Sequence, residues 1–564
     1  MKQLRWQILV VLVTLAIVAV LLLSQQSPSI TGPILPQPEQ GGVYTEGLVG
    51  SLGRLNPLLD WNNPADRSVN RLLFSGLVRF DERGLPQADL AEAWGVAQDG
   101  TVYNFSIRQN AVWHDGTPVT SDDVLFTIDR MKSAGSLYPQ DIKDLWAKIE
   151  VTRLNEKNLK FTLPEPFVPF MDYLTFGVLP KHLLDSVSPE QMPDAEFNIN
   201  PVGTGPYQFD HLIVDERQIT GVVLTVSDTY YGQEPFIEQV VFRYYPSSAE
   251  AMEAYQQGDV LSVSQITADV LSTALEEPNL SVYTSRLPQI SFVLFNLNNP
   301  EVAFLQNANV RRALMLGLNR PYLINTFLQG QAVTADGPIL PGSWAYHDGI
   351  QHFEYNPDEA INLLKIEGYV IPAEGGEVRA KEGTALSLTM LHPDNEVHTQ
   401  IAEAIRDQWA QIGVALELQA VPYDELAVDY LAPRTYEAAF VDLDLSRTPD
   451  PDPYPFWHQA EAISGQNYSQ WDNRAASEYL EQARVTADPA LRTRLYRNFQ
   501  VVFSKELPAL PLFAPVYSYG VDSQVQGVQV GSLYDPSDRL ATVTNWYLLT
   551  RRALEQTDAP TPVP

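Results

Sequence analysis

At 564 residues the chain exceeds what one hydrophobic core usually organises, about 250 to 300 residues, so two or three domains are expected. Its 69 acidic residues against 37 lysines and arginines give a formal charge of -32, which opposes a nucleic-acid partner, because polyanion binding rests on phosphate neutralisation. Without a single cysteine there are no disulfides, no thiolate chemistry, no cysteine-ligated zinc and no lipidation through an N-terminal cysteine.

The first residues read as an export signal. Lys2 and Arg5 precede an unbroken apolar or neutral stretch from Ile8 to Leu23, a basic n-region followed by an h-region. Ser24-Gln25-Gln26-Ser27-Pro28 offers no obvious small-x-small cleavage site, so residues 1–23 read equally as a signal peptide or as a membrane anchor through residues 8–23. Either reading leaves the rest of the chain outside the cytoplasm, and the second makes the protein transmembrane. Pro28, Pro33, Pro36 and Pro38 mark residues 24–40 as a flexible linker that would hold the folded part off the membrane.

The folded body begins near Gly41. Thr101 to Arg108 alternates apolar and polar residues after the turn Asp99-Gly100, which predicts a half-buried strand. Residues 121–133 predict a helix, capped by Ser121 or Asp122, with Val124, Leu125, Ile128 and Met131 on one side. The two glycines and two prolines of Asn200 to Tyr207 prescribe backbone angles, so this segment is expected to be a shaped crossing between lobes. A helix is expected from Val310 to about Phe327, with Gly317 and Pro321 able to split it. The clearest unit is strand, helix, strand: an apolar run at 386–391, helical spacing through Ile401, Ala404, Ile405, Trp409 and Ile412, a stop at Gly413, then alternation through Val414, Leu416 and Leu418. Such a crossover favours a parallel strand pair and an open α/β domain. Ala475 to Ala483 and Leu491 to Phe503 also have helical spacing, and the tail from Glu555 reads as disordered.

Signals of chemistry are sparse. There is no His-Glu-x-x-His, phosphate-binding lysine loop, Gly-x-Ser-x-Gly or dinucleotide glycine fingerprint, so no cofactor and no catalytic residue are expected. The pairs His347/His352 and His392/His398 read better as hydrogen-bonded or surface histidines than as metal ligands, and no metal site is expected. The stretch from Asp442 to His458 stands apart. Its prolines forbid a regular helix, and it sets carboxylates beside Tyr454, Phe456 and Trp457. Such a loop can hold one carboxylate at a cavity wall to pair a ligand ammonium while the aromatics supply apolar and cation-π surface. Equally, it can be an exposed turn whose aromatics plug the core below.

Several fragments together resemble a known family. They run from Leu55-Asn56-Pro57, through Phe74-Ser75-Gly76-Leu77 and Leu90-Ala91-Glu92-Ala93-Trp94, to Asp99-Gly100-Thr101-Val102-Tyr103-Asn104-Phe105. Trp113-His114-Asp115-Gly116-Thr117-Pro118, Pro201 to Tyr207, Phe295-Asn296 and Val310-Arg311-Arg312-Ala313-Leu314 continue the likeness. Over residues 41 to about 520 the chain resembles the family 5 extracellular solute-binding proteins of ABC importers, which include oligopeptide-, dipeptide- and nickel-binding receptors. The resemblance implies a periplasmic-binding-protein-like α/β fold, with two α/β lobes joined by a hinge in the class II manner and an accessory α/β domain. Carried onto this chain, the first lobe comprises 41–75, 195–288 and 508–548, the accessory domain 76–194, the second lobe 289–507, and the tail 549–564.

The function implied is non-catalytic: capture of oligopeptides or dipeptides between closing lobes, and delivery to a membrane permease with cytoplasmic ATPases, by a monomeric receptor. The alternatives are a receptor for a non-peptide solute such as an oligosaccharide or nickel complex, a membrane-anchored sensor, and, further off, an extracytoplasmic hydrolase. By similarity a second-lobe carboxylate grips the peptide amino group. Asp450 is the first choice, followed by Asp444 and Asp452, with Trp457 beside them. Leu48, Val49, Gly50 and Ser51 would face the cleft, as would Phe292 and Asn296.

Overall fold

The computed structural model describes residues 34–554 apart from 134, 136, 137 and 447. Residues 8–23 and the tail from Glu555, on which the anchor and disorder expectations fall, lie outside the described residues. Two sheets and two main cores organise the molecule. The second sheet runs in the order Ala415–Val421, Ser387–Pro393, Ala438–Asp444, Gln289–Phe295, Ala509–Asp522. The first three are mutually parallel and Gln289–Phe295 is antiparallel to its neighbours. Its centre is the expected strand-helix-strand unit. Asn395 caps the helix Glu396–Gln411 by accepting the N–H of His398, and Ile401, Ala402, Ile405 and Trp409 form its buried stripe. Gly413, at φ +82°, ends the unit in a backbone state that suits glycine. The long helix expected from Val310 is indeed divided: Ala308–Leu316 and Arg320–Phe327 meet at Gly317, and Asn319 caps the second.

The first sheet runs Ser262–Val263, Val43–Val49, Gln239–Tyr245, Gln218–Val226, Tyr207–Asp215. Val43–Val49 is parallel to both neighbours. One strand belongs to both sheets. Ala509–Asp522 pairs with Gln289–Phe295 through its first half and with Leu280–Arg286 and Ser262–Val263 through its second. The companion chain also changes sheets, at Leu287-Pro288, and Leu287 donates its N–H to Pro515 O at 2.9 Å. Pro511 sits at a register shift opposite Phe292, where a ladder tolerates a residue with no N–H. Two strands crossing side by side are thus the covalent links between the sheets.

An antiparallel sheet of Ala91–Val96, Val102–Ile107, Asn158–Thr162 and Glu150–Arg153 forms the accessory part. Tyr103, Phe105 and Ile107 point inward as the period of two requires, and Phe105 meets Phe161 edge to face at 5.5 Å. Its buried residues run without a break into those of the first sheet, from Tyr44 to Trp546, whereas the second sheet has its own core from Ile290 to Phe513. The accessory part therefore shares one core with the first sheet.

Asn200 to Tyr207 departs from expectation. It does not cross between lobes but binds the end of the helix Pro64–Leu73 to the accessory part. Gly205 and Thr204 donate N–H groups to Leu73 O, and a Cβ on Gly203 would lie 1.8 Å from that oxygen. His114 closes the junction. Its Nδ1 accepts the N–H of Gly203, so Nε2 carries the proton and donates to Gly205 O at 3.1 Å. Burial lowers this imidazole to about 4. Ile34–Glu39, which the linker reading includes, and Leu549–Leu554, which the tail reading includes, pair as a two-stranded antiparallel ladder. Pro36 and Pro38, two residues apart, place their missing N–H groups on one edge and leave the other free to pair.

Candidate functional site: the crevice between the cores

A cavity of about 980 Å³ lies between the two cores and takes walls from both. The first-lobe wall is the helix Pro64–Leu73 and the segment 529–545. Asn63 caps that helix, and Pro64 starts it with a preset φ. Arg67 and Arg71 leave the helix one turn apart and are neutralised by Asp535 at 2.8 Å and Asp538 at 3.0 Å. The accessory wall carries Asp89, whose carboxylate accepts the hydroxyl of Tyr231. Burial raises Asp89, opposed by that hydrogen bond and by Arg79, Arg71 and Arg108. The second-lobe wall is the proline-rich loop from Asp444 to Phe456, with Gln466.

All three predicted aspartates line this cavity, but in different states. Asp450 is only 7% exposed and is consumed within its own lobe. Arg492 Nη1 lies 2.5 Å from its Oδ2, and the Tyr496 hydroxyl and Asp452 N–H donate to its Oδ1. Asp452 is held in a fork by Arg484, at 2.9 and 2.7 Å. Asp444 is different: it ends the strand Ala438–Asp444, is exposed, and accepts only the N–H of Ser446 at 2.9 Å among the described residues. It is a charge at the cavity wall without an arginine partner among the described residues.

The other predicted residues lie outside the lining. Leu48 is buried in the first core, and Val49, Gly50 and Ser51 follow at the strand end, with Val49 N–H on Ser264 Oγ and Ser51 O accepting from Asn63. Phe292 and Trp457 pack on each other at 5.5 Å and on Phe503, inside the second core. Asn296 is buried and its amide donates to Arg434 O and Tyr436 O. For Trp457 the plugging alternative therefore describes the geometry. Sequence reasoning missed Asp172, Arg484, Arg492 and the arginines of the helix Pro64–Leu73. No local spacing marks them, since Asp450 meets Asp172 across 278 residues and Asp452 meets Arg484 across 32.

Among the described residues no group of three or more histidines and carboxylates could hold a metal ion. His347 and His352 flank separate carboxylates, Asp348 and Asp336, and His398 pairs with Asp442 at 3.0 Å.

The model of bacterial extracellular solute-binding proteins, family 5, matches residues 86–504. The chain belongs to that family. Family 5 membership makes it an extracytoplasmic solute-binding component of an ABC importer, without catalysis of its own, working with a membrane permease and ATPase. The chain is similar to the oligopeptide-binding protein AppA of Bacillus subtilis, 26% identical over 522 residues, covering 91% of this chain and 92% of the relative. A dipeptide-binding protein of Escherichia coli is 26% identical over 518 residues, covering 86% and 91%. Solved structures share the α/β fold with two lobe-like sheets. AppA of B. subtilis in complex with a nonapeptide has a TM-score of 0.70 at 24% identity, covering 91% of this chain and 100% of that one. HbpA2 of Haemophilus parasuis has 0.76 at 22%, covering 87% and 98%. One expectation is corrected: among the described residues no helix is long and apolar enough to cross a membrane, so the transmembrane and membrane descriptions do not hold for the described chain.

Proposed function

We propose that this family 5 receptor captures short peptides with a free amino terminus, and that Asp444, and not Asp450, receives the ammonium. The observation that carries this is the state of the three cavity carboxylates: two are neutralised by arginines of their own lobe, while Asp444 stands exposed with one backbone donor among the described residues. A carboxylate already matched to a guanidinium gains little from a second cation, whereas a free one can form a charge-assisted hydrogen bond when the crevice closes and water leaves. The cavity volume is at the upper end for small-molecule sites, about 300 to 1,000 Å³. Backbone recognition with tolerant side-chain pockets suits such a space. The named peptide binders among the relatives support the same solute class.

We also assign the first lobe to 41–75, 195–288 and 508–548, the accessory domain to 76–194 and the second lobe to 289–507, hinged in the class II manner. In support, the second sheet sets Gln289–Phe295 antiparallel among parallel strands, the first sheet sets Ala509–Asp522 antiparallel to Ser262–Val263 and Leu280–Arg286, and two strands cross between the sheets. Ligand contact with both walls would stabilise the closed form over the open one, by as much as the contacts differ between them. Calorimetric titration with di- to pentapeptides, their N-acetylated forms and neutral oligosaccharides tests the reading. Free-amine peptides are expected to bind and N-acetylated ones to bind much more weakly. Binding of an oligosaccharide with no response to any peptide would overturn the peptide assignment and leave the receptor intact.

A further inference from the structure

At the rim of the crevice the two bodies meet through three carboxylates and two cations. Asp172, in the turn Val168–Leu174 of the accessory part, accepts the backbone N–H of Asp450 from the second lobe at 2.9 Å. Arg492 is matched to Asp450 and Arg484 to Asp452, so each guanidinium already has a carboxylate from its own lobe. Arg484 also spans the junction, stacked 3.7 Å from the ring centre of Tyr454 and 5.5 Å from that of Phe167 of the accessory part. Among the described residues Asp172 is the carboxylate left without a cation of its own, and it is 6% exposed.

The groups that face Asp172 are Asp450 and Asp452 from the loop, Arg492 from the helix Pro489–Glu506 and Tyr534 from the first-lobe segment. Tyr496 faces the same cluster through Asp450, and Tyr173 through Asp452 and Arg484. Separation of the lobes would return Asp172 to water, where it ionises. Closure desolvates it next to a second carboxylate, and an unmatched buried negative charge is costly unless a proton neutralises it.

We propose that Asp172 is a closure latch: it holds the accessory domain against the second lobe through the Asp450 N–H, and it takes up one proton as the crevice shuts. Burial first, and then the Asp450 charge, hold its carboxyl well above the usual range, against the Asp450 hydrogen bond and Arg492. The latch rests on lobes that close and not on which solute they close upon. The closed form binds the extra proton, so closure is strongest near and below the ordinary carboxyl value of 3.8 and weakens as pH rises above it. The closed-to-open ratio can fall by at most about tenfold per pH unit for one proton.

The cysteine-free chain allows clean labelling. Lys148→Cys and Ala475→Cys, both at exposed positions, carry a fluorescent donor and acceptor across the accessory–second lobe junction. Energy transfer is read without solute from mildly acidic to neutral pH, above the ordinary carboxyl value of 3.8. The expected result is a closed fraction that falls with rising pH in the parent and is flat in Asp172→Asn, whose amide oxygen still accepts the N–H. Asp172→Ser, which also lacks a titrating group, is expected to be flat and serves if the Asn variant does not fold. A parent ratio independent of pH, or a slope that survives removal of the Asp172 carboxyl, overturns the latch. No solute enters the measurement, so failure of the peptide reading would leave its outcome unaffected.

Discussion

Replacing Asp444 by Asn separates the two candidate anchors. Asp444 makes one hydrogen bond among the described residues, to Ser446 N–H, and an Asn side-chain oxygen can keep it, so the fold is expected to be unchanged. What is lost is the charge offered to a ligand ammonium. Hydrogen bonds to charged groups contribute about 1.5 to 3 kcal/mol, and truncating one member of a fully desolvated pair costs about 2 to 5 kcal/mol. Asp444 starts exposed, which favours the lower part of these ranges: about 2 kcal/mol, or roughly 30-fold in Kd. Calorimetry with a free-amine tripeptide should show that loss, and the N-acetylated tripeptide should lose almost nothing further from the substitution. Asp450→Asn should behave differently. It leaves the Arg492 guanidinium buried against a neutral partner, so it should cost about 3 kcal/mol or more in the unfolding of the second lobe. An unchanged affinity in a well-folded Asp444→Asn protein, or an equal loss for the acetylated peptide, would refute the assignment of the anchor.

Other consequences follow from the buried polar groups. Arg539→Met should destabilise by about 3 to 5 kcal/mol in urea unfolding, because Glu46 would remain at 0% exposure with only the Tyr44 and Tyr519 hydroxyls as donors. The double variant with Glu46→Gln should cost less than Arg539→Met alone. Gly203→Ala should cost about 3 kcal/mol or more, since its Cβ would meet Leu73 O at 1.8 Å and backbone would have to move; thermal unfolding checks it. His114 is lowered from 6.5 to about 4 in the fold, so its contribution is complete above pH 6.5 and is lost as pH falls through 6.5 towards 4. The loss is on the order of 3 kcal/mol, and Tm measured against pH should fall less steeply in His114→Asn.

What could be read along the chain was whatever repeats over short distances. The helix Glu396–Gln411 shows its apolar stripe at a period of 3.6 and its stop at Gly413, and the flanking runs alternate as strands must. The Asp442 to His458 stretch also declared itself as a special loop, because its prolines exclude a continuous helix; only the single turn Tyr454–Trp457 forms, with Pro455 in its first turn, where a missing N–H is tolerated. Which of its aspartates is free was not readable. That depends on Arg484 and Arg492, which approach from two later helices, and on Asp172, from a different body. The same limit misplaced Asn200 to Tyr207. Its glycines and prolines announced prescribed backbone angles, and only the packed chain shows that the segment packs on Leu73 and does not cross to the opposite lobe.

From the sequence alone came an export signal and α/β units without cysteine chemistry, since composition, hydrophobic period and turn residues act on the chain locally, while the solute-receptor reading came from family resemblance. The tertiary structure alone decided which charges are already matched and which one still faces the crevice. Coulomb energy and desolvation depend on distances through space, and residues hundreds of positions apart become neighbours only when the two cores have formed and met.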